Sequence, residues 1–252
     1  MKQARLPTFL CPKGNTALTR IGKNNDGGYL VELQDVQNAK CLLGLGINDD
    51  WSFEKGFCAI NDVELLAFDA SVSASGFLKR AVKTLPVFFL PVFFRRVATY
   101  LDYKFFFRGK RRHIKSFVGV DAPPSYLSMW HIFDMVRAKG LGKCFLKVDI
   151  EGSEYRILEN LIENAQTTTG LAIEFHDCDL NLGQIEAFIA RYPLHLVHVH
   201  ANNFSPLTHT DLPLVLELTF SEVVPVTTDV TLPHPADMPN NKRQDEICFL
   251  FE

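Results

Sequence analysis

The sequence predicts an α/β protein whose mostly parallel sheet is covered by helices on both faces and closed by antiparallel pairing. Three observations carry this. Short, uninterrupted apolar runs recur, as in strands buried on both faces. Helical stretches separate several of them, the pattern of parallel crossover units. After the run at 194–201 no helix precedes the next strand, so the chain must return antiparallel there. At 252 residues, with 47% hydrophobic and 22% charged content, the chain suits one large core, read as a single domain, 1–252, with an insertion at 77–113.

The elements follow from pattern and punctuation. "KCLLGLG" at 40–46 is the first sheet strand; it ends in a glycine turn and hands over to a helix at 51–60. "VELLAFD" at 63–69 is the next strand and ends in an acid. Beyond the insertion come a strand at 114–120 and a helix at 125–139. "KCFLKVDI" at 143–150 leads through Gly152 into a helix at 153–164, with Ser153 placed to cap it. A strand at 169–176, a helix at 182–192 and a strand at 194–201 follow, and 212–220 is the antiparallel return. "VTLPHPADMPNNKRQDE" is a proline-bearing loop leading into a terminal edge strand at 246–252.

Composition narrows the setting. The N-terminus lacks the continuous apolar core of a secretory signal and is interrupted by Pro7 and Pro12, so no export is implied. The six cysteines are scattered without any C-x-x-C pair, which points to a reduced, cytoplasmic protein rather than a disulfide framework or a zinc site. The net charge of −3 hides an asymmetry: residues 77–113 hold ten Lys/Arg and one acid, Asp102, about +9, against about −12 for the rest.

In sheets of this kind ligands sit beyond the carboxyl ends of the strands. In "LLGLGINDDWSFE" a strand runs into a glycine turn, where Gly44 and Gly46 would let a ligand approach the backbone. Asp69 ends the next strand 25 residues after Gly44, where an acid accepts hydrogen bonds from ribose hydroxyls. A tight turn without a ligand would use the same residues. Asp49 replaces the third glycine of the dinucleotide fingerprint, and with Asp50 it puts two carboxylates where a pyrophosphate would lie. An adenosine cofactor without phosphates, S-adenosylmethionine, suits that charge better than NAD. Asp26, Gly27, Gly28 and Tyr29, in "RIGKNNDGGYLV", read either as a plain hairpin or as a clamp over the methionine end of that cofactor.

The stretch "FLKVDIEGSE" resembles the signature of the FkbM-type S-adenosylmethionine-dependent methyltransferases, a strand ending in Lys-hydrophobic-Asp-hydrophobic-Glu-Gly before a helix. "DGGYLV" and "GLGINDDWSFE" are similar to segments of related methyltransferase-like proteins, and the resemblance runs from about Arg20 to the C-terminus apart from 77–113. It implies a seven-stranded class I, Rossmann-like methyltransferase fold and O-methylation of a sugar or polyketide-like hydroxyl. It also implies that Gly44, Gly46 and Asp69 hold the cofactor, with Asp149 beside its methionine end. Asn48 departs from the family's usual third glycine.

Asp149 and Glu151 lie two apart at the end of their strand, and Glu174 and His176 do so at the next. The first pair reads as part of a site or as a partner for the dipole of the following helix. His198 and His200 come from the strand after that, with Asn202 and Asn203 beyond. Two chemistries are open. His176 is the expected catalytic base, with a pKa near neutrality and Asp149 or Glu174 orienting its ring, while Asp149 and Glu151 complete the catalytic set. Alternatively, Asp149, His176 and His200 hold a divalent metal, Mg, Mn or Zn, that lowers the pKa of the acceptor hydroxyl. The expected reaction is methyl transfer to a hydroxyl of a glycan, glycolipid or secondary metabolite. A nicotinamide-dependent oxidoreductase is the alternative enzyme, and a basic membrane- or nucleic-acid-binding module the non-catalytic one.

The insertion holds eight of the 21 phenylalanines among its Lys and Arg. Its apolar run "LPVFFLPVFF" is too short to span a bilayer, which needs ~20 residues. It reads as a helical lid packed on the acidic body or as a peripheral membrane contact through Phe88, Phe89, Phe93 and Phe94. Nucleic acid is disfavoured, because the acidic remainder would repel phosphate.

Overall fold

The structure, a computed structural model, describes residues 2–14, 16–83, 90–226 and 230–252. The chain opens with β1 (Lys2–Leu6), the hairpin β2 (Leu18–Ile21) and β3 (Tyr29–Glu32), α1 (Leu33–Asn38), β4 (Cys41–Leu45), α2 (Ser52–Ile60) and β5 (Glu64–Phe68). Two helices follow, α3 (Ala74–Val82) and α4 (Leu90–Phe106), then β6 (Arg111–Ile114) and the short strands β7 (Phe117–Val118) and β8 (Tyr126–Leu127). The second half runs α5 (Met129–Ala138), β9 (Cys144–Val148), α6 (Leu158–Glu163), β10 (Thr168–Phe175), α7 (Cys178–Arg191), β11 (His195–Ala201), β12 (Leu216–Ser221) and β13 (Ile247–Phe251).

Seven strands form the central sheet in the order β11-β12-β10-β9-β4-β5-β6. Only β12 is antiparallel to its neighbours, β10 and β11, as the missing crossover helix predicts. Every residue of β4, β9 and β10 is buried, because helices cover both faces. Alternation splits the core in two: Cys41, Leu43 and Leu45 pack with Phe133, Leu161 and Phe188 of α5, α6 and α7 on one face. Leu42, Leu65 and Phe145 pack with Val36, Phe53, Phe57 and Phe77 on the other.

The structure departs from expectation at several boundaries. The third strand of the parallel set is Arg111–Ile114 rather than 114–120, so the last basic residues of the insertion belong to the sheet. β6 is an edge strand, where charged side chains reach solvent and discourage further pairing. Of the expected strand, Ile114 ends β6 and Phe117–Val118 forms β7, which pairs with β8. The helix expected at 153–164 divides into a 3-10 turn at Glu154–Arg156 and α6, and Ser153 makes no side-chain cap. β13 lies outside the central sheet and pairs in parallel with β1, joining the two ends of the chain.

The insertion is helical. α3 is capped by Ser73 Oγ, which accepts the Gly76 amide at 3.1 Å, and α4 packs inward through Tyr103 and Phe106. Phe88 and Phe89 lie outside the described residues. No helix of the described residues is long and apolar enough to cross a membrane.

Candidate active site

A cleft of about 930 Å³ opens at the carboxyl ends of β4, β5, β9 and β10, with Asn202, just past β11, on its wall. Its first wall is the turn after β4. Gly46 has φ 77°, and a Cβ there would stand 1.7 Å from the Asp149 carbonyl oxygen, so only glycine lets this turn lie against the end of β9. Asp69 holds the turn: its Oδ2 accepts the Ile47 and Asn48 amides at 3.1 and 2.8 Å, and its Oδ1 accepts the Ser71 amide and hydroxyl at 2.7 and 2.6 Å. Burial favours its protonated form, but these hydrogen bonds outweigh it and keep the carboxyl below its usual range. Asp69 thus lines the cleft already engaged with protein donors.

The β2–β3 segment is a hairpin, the plainer of its two readings, and its tip contributes Asp26 and Gly27 to the wall of the cleft. Gly28 and Tyr29 do not line the cleft. A Cβ on Gly28 would meet the Lys23 carbonyl at 1.9 Å inside the hairpin turn, while Tyr29 is buried beneath the floor and donates its hydroxyl to Glu174 at 3.1 Å. Gly44 also sits behind the wall, within β4, where its missing side chain leaves room for Glu54, 2.8 Å from an ideal Cβ. Asp49 and Asp50 line the cleft as expected, although Asp50 is balanced by Lys23 at 2.9 Å.

Lys147 is the floor. Its ammonium donates to the Gly46 carbonyl at 2.8 Å and to Asp149 Oδ2 at 3.0 Å, and it lies 5.6 Å from the centre of the Tyr29 ring. Burial disfavours its charge, but Asp149 and Glu54 reverse the balance and raise its pKa. Glu54, 1% exposed, is pushed up to about 7 by burial despite Lys147.

Beyond the ends of β9 and β10 the cleft gathers Asp149, Glu151 and His176, each offering a ligand atom within 4.8 Å of the others. Strand alternation is not what joins them. β9 ends at Val148, and Glu151 turns back through a left-handed conformation, φ 53°, next to Gly152 at φ 90°. Glu154 organises that turn: fully buried, its Oε1 accepts the Ile150 and Gly152 amides at 3.0 and 3.2 Å and the His176 Nδ1–H at 3.1 Å. His176 Nε2 is left facing Glu151 at 3.5 Å and Glu174 at 3.8 Å. Burial alone would lower the His176 pKa, but Glu154, Glu174 and Asp149 raise it to about 9, above the neutral value expected from sequence. Glu174, bonded to Tyr29 and Asn202, is pushed up to about 8 by burial and by Asp149 and Glu217.

His200 does not join this group. It is taken up on the outer strands instead, with Nδ1 against Glu217 of β12 and Nε2 against Glu246 before β13, each at 3.1 Å, and His198 beside it pairs with Asp237 at 3.1 Å. Sequence reasoning missed Glu54, Lys147 and Glu154 as parts of the site. Lys147 was visible as a charge inside an apolar strand; Glu54 and Glu154 had no signal, since acids in the first turn of a helix are ordinary. No protein-family model matches the chain, and no curated protein matches it.

Proposed function

We propose that the chain transfers a methyl group from S-adenosylmethionine to a hydroxyl, on a glycan, glycolipid or secondary-metabolite acceptor. One observation carries this reading: among the described lining residues, eight bear carboxyls and only Lys147 and His176 can be cationic. Such a cleft favours a ligand bearing a sulfonium and an ammonium and repels a pyrophosphate, which counts against the nicotinamide alternative. The mostly parallel seven-stranded sheet with one antiparallel closing strand agrees with what the FkbM resemblance implies, and the site is built on its quoted motif.

S-adenosylmethionine, when bound, supplies an electrophilic methyl. The turn at Gly46 and the tip at Asp26 and Gly27 offer backbone close to the cleft, and Asp69 keeps the turn in shape. Lys147 fixes Asp149 toward the cleft. His176, its ring set by Glu154, accepts the hydroxyl proton at Nε2 once it has lost its own. A second reading is favoured by the same ring orientation, since a carboxylate on Nδ1 is the usual support of a metal-ligating histidine. Asp149, Glu151 and His176 would then hold Mg, Mn or Zn, which would supply Lewis-acid activation of the hydroxyl.

Calorimetric titration with S-adenosylmethionine and with NAD tests the cofactor; binding of NAD alone would sink the proposal. Activity that disappears with chelator and returns with a divalent ion selects the metal reading over the base reading.

A further inference from the structure

We propose that the outer face of α3 and α4 is a docking surface for an anionic lipid bilayer. α4 is amphipathic in both directions. Its inner face is committed to the body: Tyr103, like Phe77 of α3, meets Trp51 with ring centres 5.7 Å apart, and Asp102 accepts from Trp51 Nε1 at 2.9 Å and pairs with Lys55. Its outer face carries Leu90, Phe94, Leu101 and Phe105, spaced to form one stripe and exposed by 56, 63, 45 and 61%. Four large apolar side chains in one helical stripe exceed the scattered exposure of an ordinary surface helix.

The charges around the stripe identify what covers it. Arg95, Lys104 and Arg108 are exposed beside it and, among the described residues, make no ion pair; the Arg108 guanidinium lies 5.6 Å from the centre of the Phe105 ring. On α3, exposed Leu78 and Val82 neighbour exposed Lys79 and Lys83. Asp102, the one acid of residues 77–113, is already shared between Trp51 and Lys55. Apolar side chains fringed by unneutralised cations match the boundary between acyl chains and acidic headgroups, where rings enter and Lys/Arg meet phosphate. A helix lying in that plane needs no spanning length, and no described helix has it.

The surface is coupled to the cleft. α3 starts at Ala74, just past the cleft-lining Ser71. From α4, the Tyr103 hydroxyl donates to His113 Nδ1 at 2.5 Å, and His113 Nε2–H donates to the Asp69 carbonyl at 2.8 Å. Docking would therefore hold the cleft at the bilayer surface. The inference stands apart from the methyl-transfer reading, because neither the stripe nor its charges belong to the cleft.

The test is co-sedimentation with phosphatidylcholine vesicles with and without phosphatidylserine, at low and high salt. The variants are Arg95→Ser/Lys104→Ser/Arg108→Ser and Phe94→Ser/Phe105→Ser. Arg96 and Arg111 are left intact, because Arg96 donates to the Arg80 carbonyl at 2.7 Å and Arg111, at the start of β6, pairs with Asp62 of the loop before β5. Wild type should pellet with phosphatidylserine vesicles at low salt and be released at high salt. The charge variant should lose about a hundredfold in partitioning, and the phenylalanine variant should lose binding with its charges intact. Unchanged melting and S-adenosylmethionine titration show that both variants are folded, and a failure of cofactor binding alone would leave the docking result standing. The proposal is overturned if wild type ignores the anionic vesicles or if either variant pellets like wild type. It is also overturned if single-stranded RNA binds as well with the phenylalanines removed, or if the stripe proves to be a dimer contact that Phe94→Ser/Phe105→Ser dissolves without lipid.

Discussion

Asp69 and His176 show how single side chains are tuned by their surroundings. Asp69 accepts two amides of the Gly46 turn and two groups of Ser71, so Asp69→Ala should cost about 2 kcal/mol of stability in urea unfolding as those donors lose their partner. It should weaken S-adenosylmethionine binding at the same time, and an unchanged unfolding midpoint would mean that the turn holds itself. His176→Ala should reduce turnover by roughly a hundredfold or more and leave cofactor affinity nearly unchanged. Because the carboxylates around His176 raise its pKa to about 9, free imidazole grows with pH, and turnover by the base mechanism should climb from neutrality and level off near that value. A rate that is flat from neutral to pH 9 would remove His176 as the base. The same shift has the opposite sign for stability: its contribution is complete below the unfolded value of about 6.5 and is lost as pH rises through about 9.

Among the elements, β11, β12 and the C-terminal loop are joined by histidines rather than by apolar contact alone. His200, 2% exposed, bridges Glu217 of β12 and Glu246 of the loop. Burial acts against its charge, but Glu217 and Glu246 prevail and raise its pKa to about 10. Its stabilising effect is therefore complete below pH about 6.5 and lost as pH rises through about 10. His200→Ala should cost about 3 kcal/mol near neutrality, because two carboxylates lose their buried counter-charge. It should also flatten the alkaline fall in melting temperature, and an alkaline fall as steep as in wild type would assign that loss to other groups. The β2–β3 hairpin depends on the same loop: the Asn240 amide group donates to Asp26 Oδ1 at 3.3 Å and to Glu217 Oε1 at 2.7 Å. A residue of the cleft wall is thus held by a segment distant in sequence.

Across the whole molecule, charge is divided between an acidic cleft and a basic helical face. The lining carboxyls that stay ionised attract a cationic ligand over a distance that salt shortens, whereas Glu54 and Glu174, raised to about 7 and about 8, contribute less near neutrality. S-adenosylmethionine affinity should fall several-fold from low ionic strength to physiological solutions and beyond, where the Debye length is ~8–10 Å or shorter. The demethylated thioether product, which lacks the sulfonium, should show a shallower dependence. Parallel salt titrations by calorimetry read both slopes, and equal slopes would show that the cleft does not sense the sulfonium.

Local rules determined much of this protein. Apolar runs specify strands because two-sided burial demands them, and β4, β5, β9, β10 and β11 lie within a few residues of where those runs stand. The return of β12 was legible because a parallel neighbour needs a crossover helix and none is encoded. Asp149, Glu151 and His176 were legible as a group because strand ends in such sheets share one edge. Register, turns and long-range pairing belonged to the tertiary structure. The position of β6 depends on its alignment with β5, β13 pairs with a strand from the other end of the chain, and the direction of Glu151 depends on a turn held by Glu154. The separation of His200 from His176 was likewise decided in three dimensions. β12 lies between β11 and β10, and its Glu217 meets the His200 imidazole that strand spacing alone would send to the cleft. Sequence periodicity says which face a side chain takes, whereas the charge it meets there is set by the strand that comes to lie beside it.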